Sequence, residues 1–149
     1  MKFFIQRVLK SSVKVDGEIV GEIGKGYLVL VGLGAGDNEK TADRMLEKLI
    51  KLRIFEDENG KTNLSLKDVG GELLLVSQFT LYANCKKGNR PSFTDALGGV
   101  ESEKLYGYIV DRARELANVV ECGIFGADMK VELINDGPFS VMLDSEDIF

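Results

Sequence analysis

The residues best suited to chemistry follow a short apolar run. Residues 77–80, with the sequence SQFT, come directly after the run LLLV at 73–76. The end of a buried strand presents backbone N–H groups at a rigid edge, and two such groups can stabilise the oxyanion of an acyl transfer. Ser77 or Thr80 could also act as a nucleophile if a base removed its proton. The alternative is that both hydroxyls only satisfy hydrogen bonds at the strand end.

The 149-residue chain contains no histidine, which restricts how such a hydroxyl could be activated. Ser-His-Asp and Cys-His triads are excluded, and the commonest ligand of transition metals is missing. The two cysteines, Cys85 and Cys122, have no CxxC spacing, so we expect reduced thiols. Catalysis must therefore use backbone dipoles, another base or a group of the substrate, and we expect neither a metal nor another cofactor.

Three further segments are candidates for binding. Residues 135–138 (NDGP) are typical of a turn, and a cis Gly-Pro bond there would direct successive carbonyls at a cationic group. Residues 86–93 hold three basic residues within five positions and then an aromatic residue, a combination that contacts phosphates and stacks on bases. Residues 123–129 place an aromatic between glycines, as in a pocket wall. The simpler interpretations are a plain turn, a solvated loop and a core phenylalanine.

Hydrophobic periodicity predicts the elements that position these segments. Apolar residues at the spacing of one helical face predict amphipathic helices at 40–54, capped by Asp37 or Asn38, and at 102–118. Strands are predicted at 3–15, 18–23, 27–33, 72–77, 119–125, 129–134 and 139–143, and a long loop at 83–99. Tight turns and mostly sequential strands favour an α+β domain around a barrel-like, antiparallel or mixed sheet.

Composition and charge limit the classes of partner that the chain can bind. The length fits one domain over 1–149, and we expect the acidic tail from about residue 144 to be mobile. The net charge is −5, and the segment after Lys130 holds five acids and no base. The remainder is neutral, so the overall field does not attract long nucleic acid, although a local basic patch could bind a short terminus. Without a long apolar run or a signal peptide, we expect a cytoplasmic protein with no membrane contact.

The motifs SQFT, RPSF (90–93) and NDGP resemble, in order and spacing, the signature of bacterial and eukaryotic D-aminoacyl-tRNA deacylases. The resemblance runs from residue 1 to about 143 and includes Gln6-Arg7-Val8. It implies a homodimer with a β-barrel-like α+β fold and active sites at the subunit interface. It also implies hydrolysis of the ester bond of D-aminoacyl-tRNA, whose 3′ end alone needs to enter the site.

The same resemblance implies the catalytic residues, which are Ser77, Gln78, Phe79 and Thr80. Backbone amides near Gln78 and Phe79 would hold the ester carbonyl and its oxyanion. The 2′-hydroxyl of the terminal adenosine would help to activate the attacking water, since no base for Thr80 is visible. An older view makes Thr80 a covalent nucleophile.

Chirality and tRNA binding are also implied by the resemblance. Gly137 and Pro138, joined in cis, would enter the other subunit's pocket, face the α-ammonium group and exclude the Cβ of an L-residue. Glycine has no Cβ, so mischarged glycyl-tRNA would also be a substrate. Residues expected to contact the tRNA 3′ end are Lys86, Arg90, Ser92, Phe125 and Met129. The bulky Phe139 stands where valine is more usual, which affects the pocket behind Pro138.

Two other functions are compatible with the sequence. A non-catalytic RNA-binding module would need a continuous basic face, and the chain offers only Lys86, Lys87 and Arg90. An amidohydrolase that acts on free D-peptides through Thr80 would need a base to activate the hydroxyl.

Overall fold

Eight strands and three helices follow one another in the computed structural model, which describes residues 1–149. The strands are β1 Lys2–Val15, β2 Glu18–Ile23, β3 Gly26–Gly32, β4 Arg53–Glu56, β5 Thr62–Ser65, β6 Glu72–Ser77, β7 Val120–Cys122 and β8 Lys130–Asp144. The helices are α1 Glu39–Lys51, α2 Gly99–Leu116 and the single turn α3 Ser145–Ile148. The predicted α+β class with a bent, barrel-like mixed sheet is confirmed.

The sheet bends along β1, the strand with the most neighbours. One edge of β1 pairs antiparallel first with β3 and then with β2, while its other edge pairs antiparallel with β8. β6 pairs in parallel with β3, and β7 pairs in parallel with β6. β2 and β7 then approach each other, since a Cβ built at Gly21 would lie 2.9 Å from the carbonyl oxygen of Cys122. The sheet is therefore nearly closed.

Strands β3 and β6 are buried on both faces, as their near-continuous apolar sequences predict. Tyr27 and Leu73, on one face, belong to a cluster of 22 buried residues that includes the apolar sides of α1 and α2. Leu28 and Leu74, on the other face, belong to a cluster of six that lies under the bent half of β1. The end of β6 is thus held between two cores.

Several boundaries differ from the predictions. Asn38, one of the two predicted caps, accepts the N–H of Thr41 at the start of α1, but α1 ends at Lys51 because residues 53–56 form β4. β4 and β5 make a small hairpin that the sequence pattern does not predict. α2 begins at Gly99, ahead of the predicted start, and β7 covers only Val120–Cys122.

The last two predicted strands form one strand, β8, with a bulge at the NDGP motif. Val8 pairs with Asn135 and Gln6 with Ser140, so the four residues 136–139 lie opposite the single residue Arg7. An ordinary β-bulge places two residues of one strand opposite one residue of its partner. The bulge in β8 is wider, because it places four residues there.

The acidic residues after Asp144, expected to be mobile, form α3. The Asp144 side chain accepts the N–H of Glu146, and the N–H of Ser145 donates to the Met1 carbonyl oxygen at 2.9 Å. The guanidinium of Arg44 lies 3.7 Å from the centre of the Phe149 ring. Among the helices, none combines the length and the apolar character needed to cross a membrane.

Candidate active site

A cleft of about 350 Å³ opens where β6 ends. Ser77, Gln78 and Phe79 form one wall, and the opposite wall follows β7. The residues of that opposite wall are Phe125, Gly126, Ala127, Asp128 and Met129. The structure therefore brings together two segments that the sequence pattern identifies separately, because the parallel pairing of β6 with β7 places their carboxyl ends at one edge of the sheet.

The backbone changes direction within the SQFT segment. The N–H of Gln78 donates to the carbonyl oxygen of Val31 at 2.8 Å, so strand pairing continues as far as Gln78 and that amide is already occupied. Phe79–Tyr82 then forms a single 3₁₀ turn. Because the first N–H groups of a helical turn have no partner within it, the amides of Phe79 and Thr80 are the ones left to bind an oxyanion.

Thr80 has no base to activate it. Its exposed hydroxyl forms a short hydrogen bond with the side-chain amide of Gln78, which is its only hydrogen-bonded side chain. A carboxamide cannot take a proton from a hydroxyl in either orientation. Thr80 does not line the cleft, whereas Ser77, Gln78 and Phe79 do.

Two tyrosines hold the elements around the cleft: Tyr106 packs behind its walls, and Tyr82 anchors the 3₁₀ turn. The Tyr106 hydroxyl donates to the Leu75 carbonyl oxygen at 2.9 Å, and its ring lies 5.8 Å from the ring of Phe125. Tyr82, at the end of the 3₁₀ turn, packs on the backbone of Gly34 so closely that a Cβ there would lie 2.5 Å from its ring. Burial, aided by the Asp37 carboxylate, raises the pKa of Tyr82, so its phenol stays neutral.

The predicted tRNA-binding loop lies beyond the rim of the cleft. The Phe79 ring, 56% exposed, meets the Phe93 ring edge-on at a centroid distance of 5.0 Å. One residue before Phe93, the backbones of Asn84 and Ser92 exchange two hydrogen bonds of 2.7 and 2.9 Å. The loop that this bridge closes carries the exposed residues Lys86, Lys87 and Arg90, none of which lines the cleft.

The NDGP bulge is held by Arg7, a buried residue. Its Nε donates to the Asp136 carbonyl oxygen at 3.0 Å, and its Nη1 donates to the Ile54 carbonyl oxygen at 2.6 Å. The guanidinium also lies over the Phe139 ring, 4.7 Å from its centre. Gly137 and Pro138 are exposed at the tip of this bulge, and the peptide bond between them is cis.

Within one chain, the bulge and the cleft do not meet. Ser77 of β6 pairs with Val31 of β3, which in turn pairs with Phe3 of β1. The bulge lies opposite Arg7, on the other edge of β1. Three strand spacings separate β6 from β8, which is about 14 Å across the sheet. Gly137 and Pro138 are absent from the residues that line the cleft.

The sequence motifs assign no role to Arg7, although its position in β1 signals one. Along β1 the buried residues alternate through Phe3 and Ile5 to Arg7, which is 5% exposed. A charged residue at an inward position of an alternating strand must have hydrogen-bond partners inside the protein. No pattern marks Phe93 as the partner of Phe79, because that contact depends on how the loop folds back.

Comparisons with known proteins decide the family. The family model described as D-Tyr-tRNA(Tyr) deacylase matches residues 4–144. The chain belongs to this family. It is 54% identical to the D-aminoacyl-tRNA deacylase of Clostridium novyi (strain NT) and 56% identical to that of Clostridium perfringens (strain 13 / Type A), each over 100% of both chains. The resemblance implied by the three motifs is thus confirmed.

Solved structures agree with this assignment of fold. One described as "c-Myc DNA Unwinding Element Binding Protein" is 39% identical, with a TM-score of 0.92, covering 97% of this deacylase chain and 98% of its own. A probable eukaryotic D-amino acid tRNA deacylase is 17% identical and shares the fold, with a TM-score of 0.85 over 95% of this chain and 97% of its own.

We predict that Arg7→Lys destabilises the protein by roughly 2–3 kcal/mol, because an ammonium group cannot satisfy both carbonyl oxygens and the ring face at once. Urea unfolding followed by circular dichroism measures the change. Arg53→Lys is the matched control, since Arg53 is exposed and bonds only to Asn63. An equal, small effect of both substitutions would contradict the anchoring role of Arg7.

Proposed function

We propose that this chain hydrolyses the ester bond of D-aminoacyl-tRNA to give free D-amino acid and tRNA. The observation that carries the proposal is the cleft at the end of β6, where the SQFT segment faces Phe125 and Met129 in a member of the deacylase family. The relatives that match the chain over its whole length are named for this activity.

The reaction needs no reactive side chain. The N–H groups of Phe79 and Thr80 stabilise the oxyanion that forms when water attacks the ester carbonyl, and one such donor is worth roughly 10²–10³-fold in rate. The 2′-hydroxyl of the terminal adenosine assists the water, the acyl C–O bond breaks, and the 3′ oxygen leaves with a proton. This route suits a site in which the Thr80 hydroxyl has no base to activate it.

Selectivity for D-residues comes from Gly137 and Pro138 of a second copy of the chain. Their carbonyl oxygens face the α-ammonium group and leave no space for the Cβ of an L-residue. Because glycine has no Cβ, glycyl-tRNA is also a substrate. Three observations support this role: the pair is exposed, it is anchored through Arg7, and it lies far from the cleft of its own chain.

A homodimer follows from the same reasoning. Strand β8 pairs only with β1, which leaves its other edge open. Large apolar side chains are exposed along these two strands: Leu9 (52%), Ile134 (44%) and Met142 (45%). Open edges and exposed apolar patches are typical of interaction surfaces. We propose that they meet in a dimer with active sites at the interface.

Only the single-stranded 3′ end of the tRNA enters the site. Phe125 and Met129 bind the terminal adenosine, and Lys86, Arg90 and Ser92 contact the strand that leads to it. Contact with this short single strand alone is compatible with the net charge of −5. That charge would oppose binding to a long duplex. We place the reaction in the cytoplasm, where aminoacyl-tRNA is used.

A second candidate is nucleic-acid binding without turnover. It is favoured by one observation, the DNA-element-binding name of a solved structure 39% identical to this chain.

One experiment separates the two functions. The purified chain, treated with EDTA, is expected to hydrolyse D-Tyr-tRNA on the order of 10²-fold faster than L-Tyr-tRNA, because a steric clash acts on one enantiomer only. Release of labelled tyrosine gives both rates, with buffer alone as the control. Equal rates would contradict the role of Gly137 and Pro138, and salt-dependent binding without any hydrolysis would favour the second candidate.

We expect Thr80→Ala to keep at least a tenth of kcat/KM, because the backbone amide of residue 80 is retained. Loss of a covalent nucleophile costs roughly 10⁶-fold instead. Steady-state kinetics on D-Tyr-tRNA measure the difference, with Thr62→Ala on the remote strand β5 as the control. A fall of several orders of magnitude, or a trapped acyl-enzyme, would establish the covalent route.

The interface site predicts complementation between two inactive variants. Ala127→Trp fills the cleft, and Pro138→Arg places a cation where the ammonium group binds. Mixed dimers hold one site free of both changes, so an equal mixture, refolded together, is expected to recover about a quarter of wild-type activity. Each variant refolded alone is the control. A mixture as inactive as its components would show that the cleft and the bulge do not belong to one shared site.

A further inference from the structure

We infer that Phe79 and Phe93 form a stacking platform for the base that precedes the terminal adenosine, and that Lys86, Lys87 and Arg90 bind the adjoining phosphates. The inference rests on the proposed function and extends it to a part of the substrate outside the cleft. It assigns a second nucleotide subsite to the rim.

The aromatic pair has the geometry of a preformed platform. Phe79 lines the cleft on one side, yet 56% of it is exposed. Phe93 meets it at 73° between ring planes, which restricts the Phe79 ring, and the exposure of Phe79 leaves room for a base to stack on it. Stacking of a base on such a ring contributes roughly 1–3 kcal/mol and tolerates any base, because every base has a π face.

The basic loop lies directly beside this platform. The bridge between Asn84 and Ser92 closes the loop one residue before Phe93. The Asn84 side chain also accepts the N–H of Lys86 at 3.1 Å, which fixes the first turn of the loop. None of the three basic side chains forms an ion pair, so each is free to contact a phosphate.

The charge distribution of the chain attracts an anionic strand to the basic loop at the rim of the cleft. Residues 73–94 include these three basic residues and no acid. The other 16 of the 19 basic residues and all 24 acidic residues lie elsewhere, so the rest of the chain carries a net charge of −8. An incoming strand is repelled by most of the surface and attracted to the rim of the cleft.

The arrangement also orders the strand. With the terminal adenosine between Phe125 and Met129, the strand leaves the cleft past Phe79, since Phe79 lines the cleft and also contacts Phe93 at the end of the loop. The preceding base then reaches the platform while its phosphate reaches the loop. The nucleotide before the terminal adenosine therefore contacts both the aromatic pair, through its base, and the basic loop, through its phosphate.

The decisive comparison uses two small esters, D-tyrosyl-adenosine and D-tyrosyl-CpA. For the wild-type protein we expect kcat/KM to be roughly tenfold higher for the dinucleotide ester, from stacking and one phosphate contact. Phe93→Leu, which keeps an apolar side chain but removes the ring, is expected to bring this ratio close to one. Phe93→Tyr is expected to preserve it. Because the ratio compares two substrates on one variant, a general loss of folded protein cancels.

The interaction with phosphates has a separate readout. Binding of uncharged CpCpA, followed by fluorescence anisotropy against salt concentration, does not depend on turnover. The triple variant Lys86→Ala/Lys87→Ala/Arg90→Ala is expected to flatten the slope of log K against log salt by about 0.7 for each phosphate that is no longer neutralised. The matched control is Lys40→Ala/Lys48→Ala/Lys51→Ala on the exposed side of α1, which is expected to keep the wild-type slope.

The outcomes separate this inference from the proposed function. Hydrolysis of both esters at equal kcat/KM would overturn the second subsite and leave the deacylase proposal standing. A high ratio that Phe93→Leu and the triple variant leave unchanged would also overturn it, since the extra nucleotide would bind elsewhere. If neither ester were hydrolysed, the D-Tyr-tRNA assay would still decide the deacylase proposal, and the CpCpA slopes would still decide the subsite.

Discussion

The parallel pairing of β3 with β6 is the constraint on which the rest of the site depends. Six residue pairs, from Gly26 with Glu72 to Val31 with Ser77, join two strands that are buried on both faces. At Gly26 the strands are so close that a Cβ would lie 1.9 Å from the Glu72 carbonyl oxygen, so only glycine allows the pairing to begin there. The hydrogen bond from Gln78 to Val31 extends the pairing to the last residue before the 3₁₀ turn. The orientation of the amides in that turn is therefore set by a buried sheet.

In the proposed reaction, a site built in this way acts through the rigidity of its backbone. Removing the Thr80 hydroxyl leaves the amide of residue 80 in place, whereas distorting the end of β6 would move every donor at once. Two tyrosines support these elements: burial raises the pKa of both Tyr82 and Tyr106, so both phenols stay uncharged. Recognition by shape and by fixed dipoles suits the proposed reaction, in which the substrate contributes its own hydroxyl group.

Arg7 couples this sheet to the other half of the proposed interface site. One buried guanidinium joins β1, the Ile54 carbonyl oxygen of β4 and the bulge of β8. The small β4–β5 hairpin thereby gains a function in the fold, because it supplies one of the carbonyl groups that hold the arginine in place. Four residues of β8 lie opposite this one residue of β1, and that excess of backbone projects Gly137 and Pro138 away from the sheet.

The sequence by itself determined the family, the two helical faces and the doubly buried strands, and it limited the cap of α1 to Asp37 or Asn38, because these depend on local periodicity and on motifs of neighbouring residues. It also indicated the SQFT, RPSF and NDGP segments as the candidate functional segments. Only the tertiary structure decided that Phe125 and Met129 face Ser77, that the Gln78 amide is already paired with Val31, and that β8 is a single bulged strand. It also made α3 from residues expected to be mobile and assigned Arg7 its partners. These features depend on the register between strands distant in sequence, and that register is chosen by the packing of the whole core.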